Sequence, residues 1–321
     1  MKGLTLSRNY YEAYGQVMIE SVAPELSVRA AVGLAGEGSQ CFGFDDDISQ
    51  DHDFAPGFCI WLSDEDFANY GAALQQAYDQ LPSLFQGFSR DNIIAKDRLG
   101  VMKISSFYAR FTGNPDGSPA SNLDWLLTPE NQLAAATNGE VFRDDAKIFT
   151  SIRQHLLQFY PEDVLRKKLA ARAAVMSQAG QYNLLRVIRR GDAVAALLSL
   201  SRFTESTLSM IYLLNRQYMP FYKWAYHGLS NLPLLAADIT ALLSESAECL
   251  ADMINERRLE KARQKAFDLT EQICHLTACE LNRQNFSFVN SDFLQDHLSS
   301  IMDGIKDPQL RRMPPMFDCN N

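Results

Sequence analysis

Apolar residues recur along this chain at two different periods, and the change from one to the other divides it. Tyr11, Tyr14, Met18 and Val22 return at three- and four-residue spacing, the repeat of one helix face. Ser7 is placed to cap that helix and Pro24 to end it. Val28 to Leu34 is β-prone and largely apolar, and reads as a strand running into the glycine-rich turn Gly36-Glu37-Gly38-Ser39. Phe58-Cys59-Ile60-Trp61-Leu62 is a short unbroken apolar run, the mark of a buried strand. Ser63 then caps a helix through Phe67 to Tyr78, with Asp64, Glu65 and Asp66 favourable in its first turn. Val101 to Tyr108 reads as a strand or a strand-to-helix junction, and residues 113–119 as a loop.

After Pro129 the helical spacing takes over. One helix spans Ala146 to Phe159, and a second opens at Pro161 and runs to about Arg190. Gly191-Asp192 interrupts it, a third covers Ala193 to Tyr218, and Pro220 stops that one. Glu245 to Asn285 holds one or two long helices. The pattern predicts an α+β chain: residues 1–145 as a small mixed sheet with flanking helices, residues 146–321 as an all-α helical bundle.

Length and charge narrow the function. At 321 residues two domains are the natural expectation. The net charge of −9 repels nucleic acid and anionic membrane, so neither is an expected partner. Cys41, Cys59, Cys249, Cys274, Cys279 and Cys319 form no C-x-x-C pair and read as reduced thiols. The opening residues carry no apolar leader, and no apolar run approaches the roughly 18 residues of a membrane span. The expectation is a cytoplasmic protein; nothing in the sequence speaks to its oligomeric state.

The chemistry sits in Gly38-Ser39-Gln40-Cys41-Phe42-Gly43-Phe44-Asp45-Asp46-Asp47-Ile48-Ser49-Gln50-Asp51-His52-Asp53. A strand leads into Gly38-Ser39, and eleven residues separate Ser39 from Asp51. A glycine-serine turn at a helix start offers backbone N–H groups and a hydroxyl to a phosphate. On an extended strand Asp51 and Asp53 face the same way and can share a hard cation. A phosphate cradle beside a carboxylate pair is what phosphoryl or nucleotidyl transfer requires.

This stretch resembles the signature of the polymerase-β-like nucleotidyltransferases: Gly-Ser (or Gly-Gly), roughly nine to thirteen residues, then Asp-x-Asp. More narrowly, it is similar to the bacterial domain-of-unknown-function family numbered 4037. Other residues fit that family too: Asp124-Trp125-Leu126 with Pro129-Glu130, Gly139-x-Val141-Phe142-x-Asp144, Arg153 with Tyr160-Pro161, Arg190-Gly191-Asp192, and Leu214-Asn215-Arg216-x-Tyr218-x-Pro220 with Lys223-Trp224. The resemblance implies that Gly38 and Ser39 hold the terminal phosphates of ATP or another nucleoside triphosphate. It implies that Asp51 and Asp53 bind Mg2+ (or Mn2+) and are the catalytic carboxylates. The implied reaction moves a nucleoside monophosphate, AMP from ATP, onto a hydroxyl of a small molecule or protein and releases pyrophosphate. The superfamily places a third carboxylate on a later strand, but Leu99 to Phe111 holds no acid and Asp97 lies between Lys96 and Arg98, so that carboxylate comes from elsewhere or is missing. That gap leaves a second expectation open, a catalytically impaired nucleotide-binding regulatory or antitoxin-like protein of the same fold.

Other residues carry a plain and a sharp reading together. Arg153, Arg190, Arg216 and Lys223 are candidate cations for the triphosphate and equally ordinary surface cations. Arg153 and above all Lys223, in the junction Pro220-Phe221-Tyr222-Lys223-Trp224, are the nucleotide-binding choices. Asp45, Asp46 and Asp47, like Asp144 and Asp192, read as caps or charge partners before metal ligands or bases. Trp125, Tyr218 and Trp224 read as packing residues before base-stacking ones. Cys274-His275-x-x-x-Cys279 lacks a fourth ligand and lies in a helical stretch, so zinc is not expected.

Overall fold

The computed structural model describes residues 1–50, 54–92, 95–254 and 259–318. The chain forms two compact units: Met1–Ala120 with Glu130–Phe159, and Ser121–Pro129 with Tyr160–Asn321. The first is α+β and the second is helical. The sequence puts the change of pattern at 145/146. The helix Ile148–Leu157 nevertheless packs with the first unit, because Phe149 on it stacks on Trp61 at 4.0 Å.

The first unit is built on a four-stranded mixed sheet. Its strands are β1 (Ala31–Leu34), β2 (Cys59–Leu62), β5 (Gly100–Lys103) and β6 (Glu140–Arg143), in the order β5-β2-β1-β6. A two-residue ribbon, β3 (Leu84–Phe85) with β4 (Phe88–Ser89), stands apart. β1 runs antiparallel to β2 and β6, while β2 and β5 are parallel. β2 is buried along its whole length, which is why its sequence is continuously apolar rather than alternating. Phe58, Ile60 and Leu62 join a cluster with Tyr10, Leu26 and Tyr78. Trp61, two-residue alternation away, meets Phe107 and Phe149.

Three local features depart from the sequence pattern. The first helix starts at Gly3 and not at Ser7, because Oδ2 of Asp45 accepts the Gly3 N–H at 2.9 Å and caps it from a distant part of the chain. Ser7 is buried inside the helix and donates to the Gly57 carbonyl at 2.6 Å. The expected strand from Val28 is shortened to β1, since Leu26–Arg29 forms a helical turn after Pro24. β6 is absent from the sequence reading, and all four of its residues are only partly buried.

The second unit contains the helices Asn122–Leu127, Glu162–Met176, Leu185–Arg189, Ala193–Leu214, Tyr222–Leu229, Ala236–Ile254 and Leu259–Arg283. Shorter turns follow to Arg312. A π-helical stretch, Ser177–Leu184, interrupts the long second-unit helix where Gly180 lies against Phe203. No helix among the described residues is long and apolar enough to cross a membrane.

Lys167 in this unit is fully buried, and burial pushes its ammonium down to about 8. A cation whose folded pKa is depressed carries its full desolvation penalty below about pH 8, and the penalty is relieved as the pH rises toward the ordinary lysine value. The parent should therefore gain stability relative to Lys167→Met between pH 8 and 9.5. Buried thiols such as Cys59, raised to about 12 by desolvation, pull the other way above pH 9 in both proteins and cancel in the difference. Urea titrations of the two proteins across that range check this; a constant gap would show that Lys167 keeps its ordinary pKa.

Candidate functional site

β1 ends in a sharp bend. Gly36 and Gly38 have φ of 113° and 118°, a region that side chains other than glycine rarely adopt. A Cβ on Gly38 would find nothing nearer than 3.7 Å, so backbone conformation and not crowding requires glycine there. The chain then makes one helical turn, Ser39–Phe42, whose start carries no side-chain cap. The leading N–H groups of such a turn have no partner within it, and Ser39 is its first residue.

The bend is held from β6's approach. The Asn138 carboxamide accepts the Gly36 N–H at 2.8 Å and donates to the Gly36 carbonyl at 2.7 Å. The Gly139 N–H donates to the Cys41 carbonyl at 2.7 Å. Arg153 in turn donates to the carbonyls of Asn138 and, at 3.2 Å, Gly139. Burial lowers the Arg153 pKa from its ordinary value. The guanidinium expected on the triphosphate is thus spent, through these donors, on the turn that brackets the glycine bend. Arg153→Met should lower the first unit's stability by about 2–3 kcal/mol, from losing charge-assisted bonds to partly buried carbonyls. Urea denaturation equal to the parent's would show that those bonds contribute nothing.

Beside the bend is a small cavity of about 180 Å³ lined by Gly36, Glu37, Arg98, Met102, Phe107 and Arg110, among others. Glu37 pairs with Arg98 at 3.2 Å and Arg110 at 2.9 Å, and Arg110 also holds Asp97 at 3.0 Å. The volume is below that of a typical ligand pocket and suits a phosphoryl group better than a nucleoside. Sequence reasoning passed over Arg98 and Arg110. The signal was Glu37 itself, an acid inside a glycine turn, which needs counter-charge if anions are to approach. Asp97, the acid nearest the start of β5, is committed to Arg110.

Just before the carboxylate pair the chain is pinned by a reciprocal turn. Oδ1 of Asp46 accepts the Ser49 N–H at 2.9 Å, and the Ser49 hydroxyl accepts the Asp46 N–H at 2.7 Å. Hydrogen bonds from Ser49 hold the Asp46 carboxyl below its usual range. Asp51 and Asp53, the sequence's metal and catalytic choices, lie outside the described residues with His52 between them. Among the described residues no group of three His, Cys, Asp or Glu side chains could hold a metal ion.

The remaining candidates fall into ordinary roles. Asp45 caps the first helix and lies 3.7 Å from Lys2. Asp144 accepts the Thr150 N–H at 2.7 Å, and Asp192 caps the Ala193–Leu214 helix through the Ala195 N–H at 2.9 Å. In the second unit Lys223 is exposed and sits over the Trp224 ring at 5.2 Å. Arg216 lies 3.5 Å from Glu162, and Arg190 is exposed. Trp125 and Tyr218 pack edge-on against Tyr160. His275 places Nδ1 2.8 Å from Asp292, Cys279 lies 3.7 Å from its Nε2, and Cys274 is buried.

Residues 125–225 match the family model of DUF4037, a domain of unknown function. The match includes Arg153, the helix Glu162–Met176 and Lys223, and it leaves out the glycine bend and Asp51-His52-Asp53. No curated protein matches the chain. A solved structure, a nucleotidyltransferase-like protein from Exiguobacterium sibiricum 255-15, is similar over 90% of each chain at 10% identity and a TM-score of 0.38. That likeness is too loose to carry a fold or an activity across.

Proposed function

We propose that the first unit of this chain is a magnesium-dependent nucleotidyltransferase, moving AMP from ATP onto a hydroxyl of a small molecule or protein. The observation that carries the reading is the bend at the end of β1. Two glycines at positive φ lead into Ser39 and a helical turn whose start has no side-chain cap, and Asp51-x-Asp53 follows at a spacing that suits the chemistry.

The residues then divide the work. Ser39 and the neighbouring amides hold the terminal phosphates. Arg98 and Arg110, beside the bend, are matched in formal charge by Glu37 and Asp97, so they bring N–H donors and no net positive charge. Asp51 and Asp53 are the donors for the metal ions, hard oxygen ligands for Mg2+ or Mn2+. When bound, those ions supply charge neutralisation at the α-phosphate and the leaving pyrophosphate.

A second reading is supported by one specific contact. With Asp97 tied to Arg110 at 3.0 Å and no acid from Gly100 to Thr112, the third carboxylate is not supplied from β5. A regulatory protein that binds nucleotide without transferring it fits that contact.

Incubation with α-labelled ATP, Mg2+ and a pool of metabolites and proteins separates the two readings. Transfer predicts labelled adduct and equimolar pyrophosphate. Nucleotide binding without either product would leave the regulatory reading.

A further inference from the structure

Residues 314–318 lie along the helix Glu162–Met176 and insert a single buried group against it. Pro314 and Phe317 are exposed, Pro315 and Met316 are half-buried, and Asp318 alone is buried. One oxygen of its carboxylate is 3.0 Å from Lys168 Nζ, and the other is 2.7 Å from Arg172 Nη2. The three side chains are 0%, 3% and 0% exposed for Lys168, Arg172 and Asp318.

The two cations are positioned by residues outside that segment. Nε of Arg172 donates to the Ser209 hydroxyl at 2.7 Å, and Lys168 sits over the Tyr160 ring at 5.1 Å. The neighbouring Lys167 donates to the carbonyls of Pro314, Pro315 and Phe317 at 2.7, 2.8 and 3.0 Å. A guanidinium edge and an ammonium converging on two oxygens of one group is the geometry by which proteins bind oxyanions. Buried charge of this kind demands an anionic partner. The anion present comes from a short non-helical segment whose other described residues are exposed or half-buried. An anion that satisfies the same two cations competes with it for them.

We propose that Lys168 and Arg172 form an oxyanion site for a phosphoryl group, and that Asp318 is its internal, displaceable occupant. No residue of this site belongs to the glycine bend or the Asp51/Asp53 pair, so it stands independently of nucleotidyl transfer. The phosphoryl group can belong to free phosphate or to a nucleotide; both present the same oxygens.

The test uses the parent chain with EDTA present, so that a metal site plays no part. Backbone amide exchange of Met316, Phe317 and Asp318 is followed while inorganic phosphate or AMP is added, with chloride at equal ionic strength as control. Displacement predicts exchange accelerated about fivefold or more by phosphate and not by chloride. Acceleration at lower AMP than phosphate assigns a nucleotide phosphoryl group, and equal potency assigns the free anion. A second measurement compares phosphate binding to Asp318→Asn, where removal of the internal competitor should tighten binding about tenfold; Lys168→Met should abolish it. Exchange at these residues that ignores both phosphate and AMP overturns the proposal, whether or not the variants fold.

Discussion

Gly139→Ala is expected to cost the first unit about 4 kcal/mol or more, the tail of the single-mutant range. A Cβ at this position would stand 2.0 Å from the Leu34 carbonyl oxygen and 2.8 Å from the Ala35 Cα. Both are backbone atoms at the end of β1, so no side chain can swing aside. The residue also has φ of 68°, strained for alanine even in open space. Gly33 on β1 makes the reverse approach: its Cβ would meet the Glu140 carbonyl at 2.3 Å, beside the shift in register between β1 and β6. The two glycines let the strands close, and Gly139 also donates to Cys41 inside the helical turn after the bend. Loss of stability and loss of nucleotide binding should therefore appear together. Gly43→Ala is the control, with φ of 70° and nothing within 4 Å; it should cost about 1 kcal/mol. Urea titrations giving equal losses for both would refute a backbone collision at Gly139.

Asp51→Asn and Asp53→Asn should each reduce AMP transfer by at least about a hundredfold, the scale on which removing one transition-state charge stabiliser is felt. The change keeps size and hydrogen bonding while removing the negative charge that a divalent cation requires. Pyrophosphate release under saturating ATP and Mg2+ measures it. Stability should change little in either variant, unlike Gly139→Ala, so the two positions separate chemistry from scaffold. Asn variants that keep parental turnover would remove these aspartates from the mechanism.

The parts of this fold that the sequence reveals are those governed by neighbours along the chain. β2 is legible because burial on both faces leaves an unbroken apolar run. The Asp64–Asp79 helix is legible because Ser63 caps it through the Asp66 N–H, as its type and position require. Asp144 and Asp192 likewise cap helices close to them in sequence. What long-range pairing decides stays hidden. Nothing near Gly3 announces that Asp45 will cap the first helix, and β6 has no period of its own because every residue is half-buried. At the site, the glycine bend is legible because glycine is the residue such φ values demand. The roles of Arg153, Arg98 and Arg110 are not legible, since Arg153 depends on β6 lying beside β1, and Arg98 and Arg110 on the segments flanking β5 coming to Glu37. The Lys168–Asp318 pair is hidden for the same reason: its partners are 150 residues apart.

The central claim is that the bend carrying Ser39 and the pair Asp51 and Asp53 bind one metal-bound polyphosphate. Calorimetric titration of ATP into the parent and into the Asp51→Ala/Asp53→Ala double variant, each with and without Mg2+, tests it most directly. The account predicts Mg2+-dependent binding to the parent and none to the variant. Binding of equal strength to both proteins, or binding indifferent to Mg2+, would contradict it.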